Sequence, residues 1–92
     1  MRKIEYTNRF RRDFRRELKN PLHRNIEERL DVVLELLELD RPLPPSLVDH
    51  PLIGNYIGFR GCHLKPDLIL IYQRVDTDIL RLIRLGSHSN VY

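Results

Sequence analysis

The spacing of apolar residues changes between the two halves of this chain, and that change restricts its fold. Between residues 8 and 39, apolar side chains recur every three or four positions, as they do on one face of an α-helix. Between residues 56 and 85 they form shorter blocks typical of β-strands, and residues 68–72 are wholly apolar. Four prolines between residues 41 and 51 lie between the two halves. Proline is unfavourable in a regular helix and in a central strand, so this segment is predicted to be a loop. An α+β fold is therefore predicted.

The first twenty residues predict a short strand followed by a helix. Residues 3–6 alternate polar and apolar side chains, which is typical of a strand. Thr7 and Asn8 are both good N-cap residues, so we expect the helix to begin there. Its predicted apolar stripe consists of Phe10, Phe14 and Leu18, spaced four residues apart. Basic side chains fill its other faces: Arg9, Arg11, Arg12, Arg15, Arg16 and Lys19.

A second helix is predicted after Asn20-Pro21, where a capping residue precedes a proline suited to the first helical position. We expect it to run to about Leu39 and to form an antiparallel hairpin with the first helix. Its buried face is expected to be Leu22, Ile26, Leu30, Val33 and Leu37. Its C-terminal half is apolar beyond that face, at Val32, Leu34, Leu36 and Leu39. This extra apolar width is either core packed against a sheet or a surface for a partner.

The second half predicts three strands, within residues 55–64, 68–72 and 79–85, joined by short turns. Short links favour an antiparallel meander, and the first strand must join the same sheet to bury Ile4. The prediction is one domain spanning residues 1–92, with element order β-α-α-β-β-β. In this fold, a helix hairpin packs on one face of a mostly antiparallel four-stranded sheet. The other face lacks a helical layer, so we expect it to be partly open and able to receive a ligand.

Chain length and cysteine content indicate where such a protein works. Ninety-two residues have room for a single core, and the longest apolar run is far below the ~20 residues of a membrane-spanning helix. No apolar segment follows the basic start, so no signal peptide is predicted. The single cysteine, Cys62, cannot form an internal disulfide. We therefore expect a cytoplasmic protein with no membrane association.

Positive charge is concentrated at the start of the chain. The net charge is only +3, but residues 1–20 carry +5, residues 21–50 carry −4 and residues 51–92 carry +2. Such a distribution is either a set of solvated surfaces or a basic face that binds a polyanion. Thirteen of the sixteen basic residues are arginine, whose planar guanidinium can bind phosphate oxygens in pairs. Charge alone does not distinguish RNA, DNA, a ribosome and an acidic protein.

Histidines are the main candidates for chemistry. His50 lies in the proline-rich loop, His63 in the first strand of the meander and His88 after the last strand, and such segments can meet at one end of a sheet. His23, in the first turn of the second helix, is expected to be exposed and is given little functional weight. A zinc site is not predicted, because no CxxC or HxxxH pair exists and adjacent strand residues such as Cys62 and His63 point to opposite faces. No metal or cofactor is expected.

RNA cleavage through the 2′-hydroxyl is a reaction that uses several imidazoles together. A base removes the 2′ proton, the oxygen attacks the adjacent phosphorus and an acid protonates the leaving 5′ oxygen; imidazole, with a pKa of ~6.5, can serve either role near neutral pH. A cation must offset the charge that builds on the phosphate, and Arg60, Lys65 and Arg84 are candidates. Tyr92 could stack on an unpaired base.

Four segments form a specific set in the second half: DHPL at residues 49–52, RGCHLKPD at 60–67, LILIY at 68–72 and RLGSH at 84–88. In this order and spacing they resemble the YafQ toxins, a branch of the RelE superfamily of toxin–antitoxin systems. The resemblance extends over the whole chain in length and element order. It implies the small RelE-like fold.

The resemblance also implies a ribosome-dependent endoribonuclease, which enters the ribosomal A site, cuts the mRNA codon there without a metal and is neutralised by a cognate antitoxin. His50 would be the general base and His88 the general acid, although either assignment of base and acid remains open. His63 and Asp67 would orient the scissile phosphate or share in proton transfer. Tyr92 stands where the family often has phenylalanine. The implied partners are the antitoxin, the ribosome, mRNA and ribosomal RNA.

One position departs from the pattern, and two other functions remain open. Some relatives carry an acid directly after the arginine of the first meander strand, where this chain has Gly61, so codon preference is uncertain. A ParE-like toxin of the same fold class would bind DNA gyrase without catalysis and without such histidines. A simple RNA-binding module would bind in a salt-sensitive manner without cleavage.

Overall fold

A mixed sheet organises the protein, whose computed structural model describes residues 1–92. Its strands are β1 (Lys3–Tyr6), β2 (His50–Pro51), β3 (Arg60–Lys65), β4 (Leu68–Val75) and β5 (Ile79–Gly86). The helices are α1 (Asn8–Leu18), α2 (Ile26–Glu38) and α3 (His88–Val91), with 3-10 turns at Pro21–His23, Pro45–Leu47 and Gly54–Tyr56. The strand order is β1-β5-β4-β3-β2, in which β1 runs parallel to β5 and all other neighbours are antiparallel.

The predicted α+β class is confirmed, and the sheet has one strand more than predicted. The additional strand, β2, contains only His50 and Pro51, which pair with Gly61 and Arg60 of β3. Two residues are too few to show the alternation by which a strand is recognised in a sequence. This short pairing nevertheless fixes the end of the proline-rich loop against the sheet.

The start of α1 follows the predicted cap. The hydroxyl of Thr7 accepts a hydrogen bond from the Phe10 N–H at 3.2 Å, which satisfies one of the free donors of the first helical turn. The same hydroxyl donates to the Leu82 carbonyl of β5 at 2.7 Å. Thr7 therefore starts the helix and ties it to the sheet.

The buried side of α1 differs from the predicted stripe. Phe10 is buried as expected, but Leu18 is 44% exposed, and the carboxylates of Asp13 and Glu17 are buried instead. Burial raises the pKa of Asp13, but hydrogen bonds from Arg84 and the Leu85 N–H outweigh it and hold that pKa below its ordinary value. Every buried side-chain polar atom has a hydrogen-bond partner, so these carboxylates can replace apolar residues on the inner face.

The second helix begins later than predicted. Asn25 has a left-handed backbone (φ 64°), which separates the 3-10 turn at Pro21–His23 from α2. Leu22, predicted to be buried, is therefore 81% exposed on the turn, whereas the other predicted positions are buried: Ile26, Leu30, Val33 and Leu37. The extra apolar width is divided, since Leu34 joins the core and Val32 is 59% exposed. No helix of the protein is long and apolar enough to cross a membrane.

The two faces of the sheet carry different apolar clusters. The larger cluster lies under α1 and α2 and includes Cys62, Leu70, Tyr72 and Leu82. The opposite face, called the open face below, has a four-residue cluster of Leu52, Ile69, Ile71 and Val91. It is covered only by the loop of residues 52–59 and by α3, because the predicted strand at 55–64 begins only at Arg60. The expected absence of a second helical layer is thus seen.

Replacing Leu37 by alanine tests the role of the main core. Leu37 is fully buried, so Leu37→Ala is expected to lower the free energy of unfolding by about 2–5 kcal/mol. Val32→Ala on the exposed side of the same helix is the matched control and is expected to cost less than about 0.5 kcal/mol. Urea unfolding followed by circular dichroism measures both, and equal losses would contradict the packing described.

Candidate active site

A cavity of about 520 Å³ on the open face collects half of the predicted site residues, including three of the four predicted catalytic ones. His50 comes from β2, His63 from β3, His88 from α3 and Tyr92 from the residue after α3. The remaining lining is mostly apolar: Pro51, Leu52, Ile53 and Ile69. The sheet thus brings together three histidines that are separated by 13 and 25 residues in the sequence.

Two of the imidazoles are held by backbone carbonyl groups. Nδ1 of His50 lies 2.7 Å from the Val48 carbonyl, and Nδ1 of His63 lies 3.1 Å from the Pro66 carbonyl. A carbonyl oxygen only accepts hydrogen bonds, so each Nδ1 must carry a proton, which leaves Nε2 of the neutral ring without one. Because the ring centroids of His50 and His63 are 6.5 Å apart, the cavity holds two Nε2 atoms that can accept a proton.

Asp67 contributes to the site through the backbone of His88. Its Oδ1 accepts a hydrogen bond from the His88 N–H at 3.1 Å, and Asp67 does not line the cavity. Ser87, the N-cap residue of α3, makes no side-chain cap of its own. The Asp67 carboxylate therefore takes the place of a capping side chain at the start of α3 and fixes the residue that carries the third imidazole.

Tyr92 forms one wall of the cavity. Its ring lies 4.8 Å from the His88 ring and 5.9 Å from the Tyr56 ring, centroid to centroid, and 47% of the residue is exposed. The Tyr56 hydroxyl donates to the Val91 carbonyl at 2.8 Å, which anchors the chain next to Tyr92. Burial, and then the nearby Tyr56, raise the pKa of Tyr92, so the phenol stays protonated. A partly exposed neutral ring in this position is suited to stack on a base.

The predicted cations lie outside the cavity. Arg60 is paired with Asp49, whose other oxygen accepts from the Tyr72 hydroxyl, so Arg60 braces the loop before β2. The ammonium group of Lys65 donates to the carbonyl of Arg24, which lies just before α2. Arg84 is buried against Asp13 and does not line the cavity. The structure therefore does not bring these three candidate cations into the cavity that holds the histidines.

Cys62 has the properties expected of a structural thiol. It is fully buried in the main cluster, on the face of β3 opposite to His63. Burial, and then the Asp49 charge, raise its pKa to about 12. His23, predicted to be exposed, instead packs against the buried Glu17, with 2.5 Å between Nδ1 and Oε1. No group of three or more His, Cys, Asp or Glu side chains is arranged to hold a metal ion.

Sequence and structure comparisons give consistent relatives. Residues 2–92 match the family model described as bacterial toxin of type II toxin–antitoxin system, YafQ. The chain is 34% identical over 91 residues to the mRNA interferase toxin YafQ of Escherichia coli K12, covering 99% of this chain and 96% of that protein. It resembles the toxin in an E. coli DinJ–YafQ complex (TM-score 0.82, 35% identity, 100% and 99% of the chains). A copper-bound mutant toxin from Helicobacter pylori is also similar (TM-score 0.91, 39% identity, both chains fully covered).

The carbonyl contacts predict the tautomers of the site histidines. In their neutral form, His50 and His63 are expected as the Nδ1–H tautomer, which is the minor tautomer of free histidine. His88 makes no hydrogen bond through its ring and is expected to show no such bias. Two-dimensional ¹⁵N–¹H correlation spectra of the imidazoles distinguish the forms. An Nε2–H tautomer at His50 or His63 would contradict the proton acceptors assigned to the cavity.

Proposed function

Because this chain belongs to the YafQ family of type II toxin–antitoxin systems, we propose that it is an mRNA interferase, an endoribonuclease toxin. The observation that supports this proposal is the single cavity that holds His50, His63, His88 and Tyr92. General acid–base chemistry needs groups that give and take protons near neutral pH, and imidazole is the side chain suited to both tasks.

The proposed reaction is transesterification at the RNA 2′-hydroxyl. His50 accepts the 2′ proton at Nε2, the 2′ oxygen forms a bond to phosphorus and the bond to the 5′ oxygen breaks. His88 in its protonated form gives its proton to that leaving oxygen. The products are a cyclic 2′,3′-phosphate and a 5′-hydroxyl, so proton and charge balance without a metal ion. The exchanged assignment, with His88 as base and His50 as acid, uses the same residues.

Charge on the phosphate must be stabilised from within this cavity. Since Arg60, Lys65 and Arg84 lie elsewhere, His63 is the remaining group that can do so. A protonated His63 keeps its Nδ1 proton on the Pro66 carbonyl and presents Nε2–H to a phosphate oxygen. Tyr92 and the apolar wall position the neighbouring base by stacking and by excluding water.

The basic surface suits a ribosomal partner. Alongside α1, a cleft of about 270 Å³ is lined by Arg9, Arg12, Asp13, Arg16 and Arg84, with no apolar residue. The side chains of Arg9 and Arg12 are exposed and make no hydrogen bond or ion pair within the protein. We propose that Arg9 and Arg12 bind phosphates of ribosomal RNA from this cleft while the cavity receives the mRNA codon in the A site. A toxin of this kind acts in the cytoplasm, where translating ribosomes are found.

Control by an antitoxin follows from the same family membership. The E. coli relative YafQ is found in a complex with DinJ. We propose that a cognate antitoxin binds this chain as well. The surfaces available for that contact are the basic cleft and two exposed apolar residues, Val32 of α2 and Leu39 directly after it.

Alanine substitution of the cavity histidines tests catalysis. His50→Ala and His88→Ala are each expected to lower mRNA cleavage in a translation mixture by roughly 10²–10⁴-fold, because each removes a proton acceptor or donor. Cleavage ends are mapped by primer extension, with and without ribosomes. His23→Asn is the matched control, since it replaces a histidine outside the cavity.

Growth arrest in cells and antitoxin binding complete this experiment. Both cavity variants are expected to lose toxicity and to keep antitoxin affinity. If they remain fully toxic, the protein acts without catalysis, as a ParE-like toxin does. If the purified protein binds RNA but neither the wild type nor any variant cuts it on ribosomes, the RNA-binding module is the better description.

Neutralising two arginines tests the basic cleft. Arg9→Gln with Arg12→Gln is expected to weaken binding to a 2′-O-methylated RNA and to make that binding less dependent on salt, by about 0.7 in the log–log slope per lost contact. Arg24→Gln with Arg41→Gln removes the same charge elsewhere on the surface. Fluorescence anisotropy over a salt series measures both variants. Equal changes in the two variants would show that only net charge matters.

A further inference from the structure

A buried ion pair links α1 to the last strand. Nε of Arg84 lies 2.7 Å from Oδ2 of Asp13, and the two side chains are only 10% and 5% exposed. The same oxygen accepts from the Leu85 N–H at 3.0 Å, and the other accepts from Nη1 of Arg16 at 2.9 Å. The Asp13 carboxylate thus accepts hydrogen bonds from Arg84, Arg16 and the Leu85 N–H, near the end of β5 and just before α3.

Arg84 extends this pair to the segment that carries two site residues. Its Nη2 donates to the Asn90 carbonyl at 3.2 Å. Asn90 lies between His88 and Tyr92, both of which line the cavity. A single planar guanidinium therefore contacts a carboxylate of α1 and a backbone oxygen of α3 at once, a geometry that a flexible ammonium group does not reproduce.

The position of α3 depends on such contacts. A helix of four residues is not stable on its own, because one or two backbone hydrogen bonds do not offset the ordering of its first turn. Besides Arg84, α3 is held by Asp67 at its start and by Tyr56 at the Val91 carbonyl. Each of these three contacts engages a backbone group of α3, so each fixes where the chain runs.

The turn between β5 and α3 is also packed by this cluster. Nη2 of Arg16 donates to the Leu85 carbonyl at 2.9 Å. A Cβ atom at Gly86 would lie only 2.7 Å from that nitrogen and 3.3 Å from Val91 Cγ1. A side chain at position 86 would therefore displace the end of the Arg16 side chain from the Leu85 carbonyl, and the absence of a side chain on Gly86 allows that contact.

We propose that Asp13 and Arg84 are positioning residues, which hold α3 so that His88 and Tyr92 face the scissile phosphate. Neither residue touches the RNA in the cavity; Arg84 acts through the Asn90 carbonyl and Asp13 acts through Arg84. This inference rests on the proposed function, because the placement of His88 matters for cleavage only if the cavity cuts RNA. Replacement of a whole buried ion pair by apolar residues is often close to neutral for stability, so the role proposed for this pair is to fix the direction of the chain.

The sharpest test is Arg84→Lys, which keeps the charge and loses the planar two-sided contact. Cleavage on ribosomes at saturating concentration (kcat) is expected to fall roughly 10- to 100-fold while KM stays within about twofold, as for a displaced catalytic group. Arg81→Lys is the matched control: it is the same substitution on the same strand, in an arginine paired with Glu5 at 2.6 Å, and it should leave kcat unchanged. Asp13→Asn is expected to reproduce the Arg84→Lys defect without a change in side-chain size.

Nuclear Overhauser contacts between aromatic rings distinguish a displaced α3 from a general loss of stability, because a general loss would weaken all of these contacts. The His88–Tyr92 and Tyr56–Tyr92 ring contacts are expected to weaken in Arg84→Lys and Asp13→Asn, while the His50–His63 contact is retained. Uniform weakening of all three contacts, or a variant with the kcat and spectra of the wild type, would overturn the proposal. A rise in KM with unchanged kcat would overturn it as well, because Arg84 would then bind substrate directly.

The proposed function and the positioning role of Asp13 and Arg84 can be disproved separately. If the wild type does not cleave mRNA on ribosomes, the proposed function is wrong, and the spectra still decide whether Asp13 and Arg84 place α3. If the wild type cleaves and Arg84→Lys cleaves equally well with undisturbed ring contacts, the positioning role is wrong and the proposed function stands.

Discussion

The burial of β4 on both of its faces is the constraint on which the rest of the structure depends. Residues 68–72 are all buried, so side chains that alternate between the faces need cover on both sides. Two long helices cover one face, and a loop and a single helical turn cover the other. Because the second cover is small, it leaves a cavity at its margin, and two residues of the small cluster, Leu52 and Ile69, also line this cavity. The segments that cover the central strand on the open face therefore also form the site.

The site is built from weak elements that are fixed individually. His50 lies in a two-residue strand and His88 in a four-residue helix, neither of which is stable alone. Each is held by a specific polar contact: His50 by the Val48 carbonyl and His88 by the Asp67 carboxylate. Asp49 performs a similar task for the loop before β2, since it accepts from both Arg60 and Tyr72. A backbone carbonyl and two carboxylates thus hold the segments that carry these histidines, while Nε2 of each imidazole remains available for the proposed proton chemistry.

The sequence was sufficient to predict the α+β class, the cap at Thr7, the four inner positions of α2 and the convergence of three histidines. Prediction from the sequence failed where the surroundings of a residue depend on a partner that is distant in the chain. Asp13 looks like one charge among many until Arg84, 71 residues away, is placed beside it. A β-bulge between Ile71 and Tyr72 shifts the pairing of β5, so alternation alone cannot assign the surroundings of Arg84. The position of Arg60 could be predicted from the alternation of side chains along β3. Arg60 and Cys62 are two residues apart and share a face of the strand, so Arg60 lies on the face opposite to His63.

The parallel pairing of β1 with β5 has a consequence for the order in which the molecule is made. The first strand has no neighbour other than β5, which begins at residue 79, and β5 also leads into the segment with His88 and Tyr92. During synthesis, residues 3–6 therefore cannot pair until β5 has been made, as long-range contacts of this kind form late. The same event that completes the sheet delivers the last imidazole to the cavity. The cavity that holds His88 and Tyr92 can therefore form only after β5 has been made.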